Sequence, residues 1–113
     1  MKGANVQKKD EREKVRWELL PLETIEEAVK ALMVGAKKHG DFDWQKQDKE
    51  FFYAALMRHI KEYQSGVTMD KESGLNPLAH AMCNIIFLLW LEMNQEKKHE
   101  NSIRHRLHAN KEI

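Results

Sequence analysis

Three glutamates stand close together near the start of the first strongly amphipathic segment of the sequence. Glu23, Glu26 and Glu27 are spaced so that, on a helix, their carboxylates lie on one side within a single turn. Carboxylate oxygens bind Mg²⁺ or Mn²⁺, and the bound ion can share its coordination with phosphate groups. The same residues are also typical of a solvated helix start, neutralised by Lys30 and by the helix dipole. The spacing therefore predicts either half of a metal site or an ordinary helix surface.

Two histidines and an asparagine fall within segments that are otherwise apolar. His59 lies in an apolar stripe next to Arg58, and His80 and Asn84 are i, i+4 neighbours. Buried polar groups need partners, so these side chains bond either to the protein itself or to a ligand. Arg58 beside His59 would suit a phosphate oxygen, whereas a histidine bonded within the core would have only a structural role.

The two predicted loops carry further charged and aromatic residues. Asp70 and Glu72 precede the third predicted helix and could bind a metal ion or simply cap the turn. Lys37 and Lys38 are followed by Trp44, and a cation with an aromatic ring can hold the phosphate and the base of a nucleotide. The alternative is that the lysines close a helix and Trp44 fills the core.

Apolar periodicity predicts the helices that must position these residues. A stripe with spacings of three and four predicts a first helix from Pro21 to about Lys38, and a second stripe predicts a helix over residues 50–64. Asn76 and Pro77 are typical of an N-cap followed by the first helical position, which begins a third helix over residues 77–93. We expect residues 39–49 and 66–76 to be loops.

The third predicted helix is apolar on nearly every side, which two other short helices cannot cover. We therefore expect an all-α fold, a small bundle of three main helices assembled as a homo-oligomer. Residues 1–16 carry nine charges and predict a flexible arm, and residues 17–93 form the helical domain. Residues 94–113 are polar and predict a short C-terminal helix or a tail.

Length and composition exclude several classes of protein. The chain has 113 residues, one domain's length, and a net charge of +1 that provides no general field for DNA, RNA or an acidic membrane. The longest apolar run, residues 85–91, is too short to span a bilayer. A single cysteine, Cys83, and the lack of a signal segment indicate a cytoplasmic protein. Glycine-loop, nucleophile-elbow and paired-cysteine motifs do not occur, and the tail histidines are weak zinc candidates.

An ordered series of motifs over residues 14–91 resembles the phage-encoded dATP/dGTP diphosphohydrolase N-terminal domain family, which is related to MazZ and to MazG-like all-α nucleotide pyrophosphohydrolases. The motifs are Lys14-x-Arg16-x-Glu18-Leu19-Leu20-Pro21, Gly35-Ala36-Lys37-Lys38-His39-Gly40 with Trp44, Ala55-Leu56-x-Arg58-His59, Gly66, Asp70-x-Glu72-Ser73-Gly74, and Leu78-Ala79-His80-Ala81-x-x-Asn84. The resemblance implies an oligomeric, Mg²⁺-dependent enzyme of an infected bacterium's cytoplasm. Such an enzyme cuts a purine deoxynucleoside triphosphate into its monophosphate and pyrophosphate.

The resemblance also implies roles for individual residues. Metal ligands would be the five acids, Glu23, Glu26, Glu27, Asp70 and Glu72. Substrate would contact Lys37, Lys38, Trp44, Arg58 and Asn84, and catalysis would use Glu27, His59 and His80.

One departure from the MazG-like pattern leaves a second interpretation open. Where those proteins carry a second acidic pair, Glu-x-x-Asp, this chain has His80 and Asn84. A protein with a nucleotide pocket but weak metal coordination could act as a sponge. It would sequester cyclic nucleotide or ADP-ribose-type immune signals of the host without cleaving them. A third interpretation is a scaffold whose buried polar residues only fix the register of an oligomer.

Overall fold

The computed structural model describes the backbone of residues 14–112 and the side chains of residues 14–95. It contains three α-helices, α1 (Leu22–His39), α2 (Lys49–Gln64) and α3 (Pro77–Glu112), with short 3₁₀ turns at Trp17–Leu19 and Asp43–Lys46. Over residues 14–112 there is no strand, which confirms the all-α prediction. The predicted arm lies mostly outside the described residues, and the tail histidines lie outside the described side chains.

The helix ends follow local signals in the sequence. α1 begins directly after Pro21 and ends just before Gly40. The φ of Gly40, 99°, favours glycine, and its N–H donates to the Ala36 carbonyl oxygen over 2.7 Å. At the start of α3, the Asn76 side-chain oxygen accepts a hydrogen bond from the Leu78 N–H over 2.9 Å. The predicted bounds of the first two helices and the Asn76 cap are confirmed.

The third helix differs from its prediction at its C-terminal end. α3 is continuous over 36 residues, so residues 94–112 extend it and do not form a separate element. The physical reason is that this segment lacks glycine and proline and is rich in residues with good helix propensity. Its loss of apolar periodicity therefore does not mark the end of the helix.

Small side chains form the contact between α1 and α3. Ala28 and Ala31 on α1 are buried against Ala79 and Cys83 on α3, and the Cys83 thiol donates to the Ala28 carbonyl oxygen over 3.0 Å. Burial raises the pKa of Cys83 to about 11, so the thiol is a core group and not a nucleophile at neutral pH. The two helices run in opposite directions. Residue 28 of α1 contacts residue 83 of α3, whereas residue 38, further along α1, contacts the loop that precedes α3.

Aromatic rings join α2 and the first loop to α3. Phe87 on α3 packs against Phe52 of α2 with ring centroids 4.8 Å apart and stacks on Trp44 at 4.5 Å. One end of α2 therefore lies at Phe87, and the other lies near His80, seven residues earlier on α3. Because α1 and α2 both run opposite to α3, their C-terminal ends meet at the N-terminal end of α3.

Many large apolar side chains remain exposed. On α3, Ile85, Leu89 and Met93 follow one another at intervals of four, and more than half of each side chain is exposed. In the described part of the chain, no helix combines the length and apolar character that crossing a membrane requires.

The cap at the start of α3 predicts a measurable loss of stability. Asn76→Ala removes the oxygen that accepts the Leu78 N–H and should lower the free energy of unfolding by about 1 kcal/mol. Asn76→Asp keeps an acceptor at this position and serves as the matched control. Urea unfolding followed by circular dichroism measures both variants, and equal stability of Asn76→Ala and the native protein would contradict the assigned cap.

Candidate functional site

Two imidazole rings lie in contact at the end of the bundle where the three helices converge. His59 of α2 and His80 of α3 are stacked, with ring centroids 5.0 Å apart and planes inclined by 21°. On its other side, His80 Nε2 lies 2.6 Å from the Ser73 hydroxyl oxygen. The antiparallel packing of α2 on α3 brings together two histidines that are 21 positions apart in the sequence.

The loop before α3 is held in shape by Asp70. Its carboxylate oxygen Oδ2 accepts the backbone N–H groups of Glu72 and Ser73 over 3.0 and 2.9 Å. The Asp70 N–H donates to the Leu75 carbonyl oxygen, and the Asp70 carbonyl oxygen accepts the Gly74 N–H. The hydrogen bond from Ser73 is the main cause that holds the pKa of Asp70 below its usual value. Asp70 thus acts within the loop, and the closed loop holds Ser73 against His80.

The environment of His80 favours its neutral form. Burial is the main cause that lowers its pKa, and the neighbouring His59 adds to the effect, while Asp70 and Glu62 oppose it. The Ser73 oxygen already accepts the Leu75 N–H over 3.2 Å. The Ser73 hydroxyl can therefore donate to His80 Nε2 in the neutral tautomer that carries its proton on Nδ1.

His59 has a ring nitrogen without a hydrogen-bond partner among the described residues. Its Nδ1 is buried, and the carboxylate oxygen Oε2 of Glu62, one turn further along α2, lies 3.7 Å away. Buried polar atoms are nearly always bonded, so this nitrogen is an exception among the described side chains. The 3.7 Å separation is longer than a hydrogen bond, so Glu62 lies beside the ring without a bond that fixes its orientation.

A charged pair joins the end of α1 to this group. Lys38 forms an ion pair with Glu72, and both side chains are about half exposed. We call the group formed by Lys38, His59, Glu72, Ser73 and His80 the imidazole site. It combines two imidazoles with a cation that can exchange its carboxylate partner for a phosphate.

The predicted acids do not all come together. Glu27 is half-buried and pairs with Lys30 over 2.8 Å, near the opposite end of α1 from Lys38. The eleven positions that separate Glu27 from Lys38 correspond to about 16 Å along the helix axis. Glu23 and Glu26 are exposed on the same distant turn. Among the residues whose side chains are described, no three of the types His, Cys, Asp and Glu are placed to hold a metal ion.

The remaining predicted residues take different positions. Trp44 stacks on Phe87 and meets Trp90 edge to face at 5.0 Å, so it fills the core as its alternative interpretation proposed. The buried Asn84 donates through its side-chain nitrogen to the His80 carbonyl oxygen over 2.9 Å. Lys37 and Arg58 are exposed and free of the core.

Sequence reasoning assigned no role to Ser73 or Glu62. Ser73 follows Asp70 by three positions and precedes a glycine, a pattern typical of an Asp-initiated turn that closes on its own backbone. That pattern could have indicated that Ser73 is fixed in place. Glu62 lies at i+3 from His59 on a predicted helix, a spacing that allows the two side chains to meet.

Comparison with known proteins places the chain in a family. The sequence profile of the family described as dATP/dGTP diphosphohydrolase, N-terminal, matches residues 4–102, which include the whole imidazole site. The chain belongs to this family. The match confirms the resemblance to the dATP/dGTP diphosphohydrolase N-terminal family that the motifs indicated.

A curated relative also carries the family's name. The dATP/dGTP diphosphohydrolase of Salmonella phage PMBT28 is 34% identical over 70 residues. The aligned part is 62% of this chain and 24% of the phage protein, so the chain spans about a quarter of the length of that relative. No solved structure matches the chain.

The lowered pKa of His80 predicts how stability depends on pH. Because the folded protein favours neutral His80, the unfolded chain binds a proton more readily near pH 6.5 and below. The free energy of unfolding should therefore fall as the pH is lowered from about 7.5 to about 5. The lowered pKa of Asp70 acts separately, below its usual value of 3.8.

Urea unfolding at a series of pH values measures this dependence. His80→Gln should reduce the slope between about pH 7.5 and about pH 5, whereas His39→Gln, at an exposed helix end, should keep it. An unchanged slope in His80→Gln would show that His80 does not resist protonation in the folded protein.

Proposed function

We propose that this chain is the nucleotide-handling helical unit of a purine deoxynucleoside triphosphate pyrophosphohydrolase. The reaction would convert dATP or dGTP into the monophosphate and pyrophosphate. The observation that supports this proposal is the convergence of Lys38, His59 and His80 at one end of the bundle. Membership of the dATP/dGTP diphosphohydrolase N-terminal family agrees with such a substrate.

The proposed chemistry is an attack of water on the α-phosphorus. The water oxygen bonds to phosphorus, the bond to the oxygen bridging the α and β phosphates breaks, and pyrophosphate leaves. His59, with Glu62 beside its Nδ1, accepts the proton released by the water at its other ring nitrogen. Lys38 exchanges Glu72 for the triphosphate, and the exposed Arg58 adds a second cation.

Magnesium dependence is part of the proposal, and a single chain does not account for it. The acids expected to hold the ion are divided between the first two turns of α1 and the loop before α3. Asp70 is bonded to its own loop, and Glu72 is paired with Lys38. These residues do not fit a resident metal ion as they stand, and we assign the ion no step.

A homo-oligomer is also part of the proposal. The stripe formed by Ile85, Leu89 and Met93 is exposed along α3, and a second copy would bury it. Small domains commonly gain core by such association.

A sponge that binds nucleotides without cleaving them is the second candidate function. The engagement of Asp70 and Glu72 in contacts within the chain favours it, because it leaves cationic and imidazole groups to face a ligand. The ligands would be cyclic nucleotide or ADP-ribose-type immune signals. Such a protein would need affinity and not turnover.

One assay tests the two candidates together. Purified protein is mixed with dATP, dGTP and cyclic dinucleotides, with and without Mg²⁺, and free, bound and cleaved species are resolved by chromatography. The proposal predicts monophosphate and pyrophosphate from the purine triphosphates. If free ligand is depleted and then recovered intact on heating, the result would favour the sponge. If the protein neither cleaves nor binds these nucleotides, the scaffold would remain.

Two matched lysines on α1 test where the triphosphate binds. Lys38→Ala should weaken dATP binding by about 1.5–3 kcal/mol, the scale of a hydrogen bond to a charged group. Lys30→Ala removes a cation of similar exposure and similar pairing at the other end of the helix and should leave binding unchanged. Isothermal titration calorimetry measures both variants. Equal effects of the two substitutions would place the triphosphate elsewhere.

A further inference from the structure

Phe42 combines an exposed aromatic ring with an unusual backbone conformation. Its side chain is 67% exposed, and its φ of 61° lies in the left-handed region. Among residues 14–95, it is the residue other than glycine with a positive φ. A bulky residue in this conformation is strained, and strained residues cluster at binding sites.

The strain is built into a fixed turn. The Asp43 N–H donates to the Gly40 carbonyl oxygen over 3.4 Å, and the Gln45 N–H donates to the Phe42 carbonyl oxygen over 3.0 Å. Phe42 stands directly before the turn Asp43–Lys46, which Trp44 anchors to the core through Phe87. The backbone that carries the exposed ring is therefore anchored to the bundle.

The position of this turn links the ring to the imidazole site. Lys38 contacts Glu72 before α3 begins, and Trp44 contacts Phe87, ten positions after the start of α3. The segment between Lys38 and Trp44 therefore runs along α3, from the loop before this helix to the position of Phe87. Phe42 lies in this segment. Its Cα lies at most about 14 Å from that of Lys38, a span that a nucleoside triphosphate can bridge with phosphates at one end and base at the other.

The aromatic ring expected to stack on a base is already in use. Trp44 is packed against Phe87 and Trp90, whereas Phe42 belongs to none of the aromatic pairs among the described side chains. Successive residues Lys37, Lys38 and His39 end α1 just before it, so cations and a free ring follow one another along the chain. Stacking needs an open planar face, and Phe42 is exposed whereas Trp44 is half-buried against α3.

We propose that Phe42 stacks on the purine base of the nucleotide whose phosphates the imidazole site holds. This inference rests on the proposed function and names the residue that contacts the base. The strained backbone aims the ring, and the phosphate groups are held by other residues. Loss of the ring should therefore weaken binding of a nucleotide but not of a triphosphate that has no base.

The experiment compares two ligands, dATP and inorganic triphosphate, by isothermal titration calorimetry. Phe42→Gly removes the ring and relieves the positive φ, and Phe42→Asn removes the ring while tolerating the same backbone. Both variants should bind dATP about ten-fold more weakly or worse, with unchanged affinity for inorganic triphosphate. Phe42→Tyr keeps a ring and should bind dATP normally. Phe51→Ala, which removes another exposed ring at the start of α2, should change neither affinity.

Thermal unfolding and solution mass are measured on the same variants. Phe42→Gly should be at least as stable as the native protein, because the strain is relieved. Unchanged dATP affinity in Phe42→Gly would overturn the inference. Equal weakening of both ligands would also overturn it, and an accompanying change in mass would place the ring in a subunit contact. Failure of the native protein to bind either ligand would overturn the proposed function and the inference with it.

Discussion

The close packing of small residues between α1 and α3 is the constraint on which the rest of the arrangement depends. Alanine side chains and the Cys83 thiol, bonded to the Ala28 carbonyl oxygen, let the two helices approach with little intervening volume. This contact fixes the level at which α1 ends beside the loop before α3. Lys38 therefore meets Glu72 there, and a shift of one helical turn would move the cation about 5 Å away from its partner.

The distribution of charge follows from the same packing. The glutamates in the first two turns of α1 lie about three to four turns from Lys38 at its other end, because a straight helix carries its two ends apart. A metal ion cannot contact both the glutamates near the start of α1 and the acids of the loop before α3 within one chain. In the proposed oligomer, a second copy would bring its own α1 glutamates to this loop. The exposed stripe that includes Ile85 and Leu89 makes such an arrangement physically reasonable.

Periodicity and capping residues predicted the two shorter helices and the start of the third, because these signals act within a few positions. The contact between His59 and His80 could not be predicted in the same way, since it depends on the direction in which α2 packs on α3. Nor could the sequence decide between the two interpretations of Asp70. Its carboxylate can bind a cation or its own loop, and only the folded backbone shows two N–H groups placed to satisfy it.

The contrast between Asp70 and Glu72 explains how the loop could admit an anion without losing its shape. The loop is held by hydrogen bonds to Asp70, and none of these involves the Glu72 carboxylate. The Lys38–Glu72 pair is half exposed, and ion pairs of this kind contribute little to stability. A triphosphate carries more charge than a carboxylate, so it can displace Glu72 from Lys38 while Ser73 stays against His80. In the proposed complex, the imidazole pair would already be in position before the phosphates bind, and the Glu72 side chain would be the one to move.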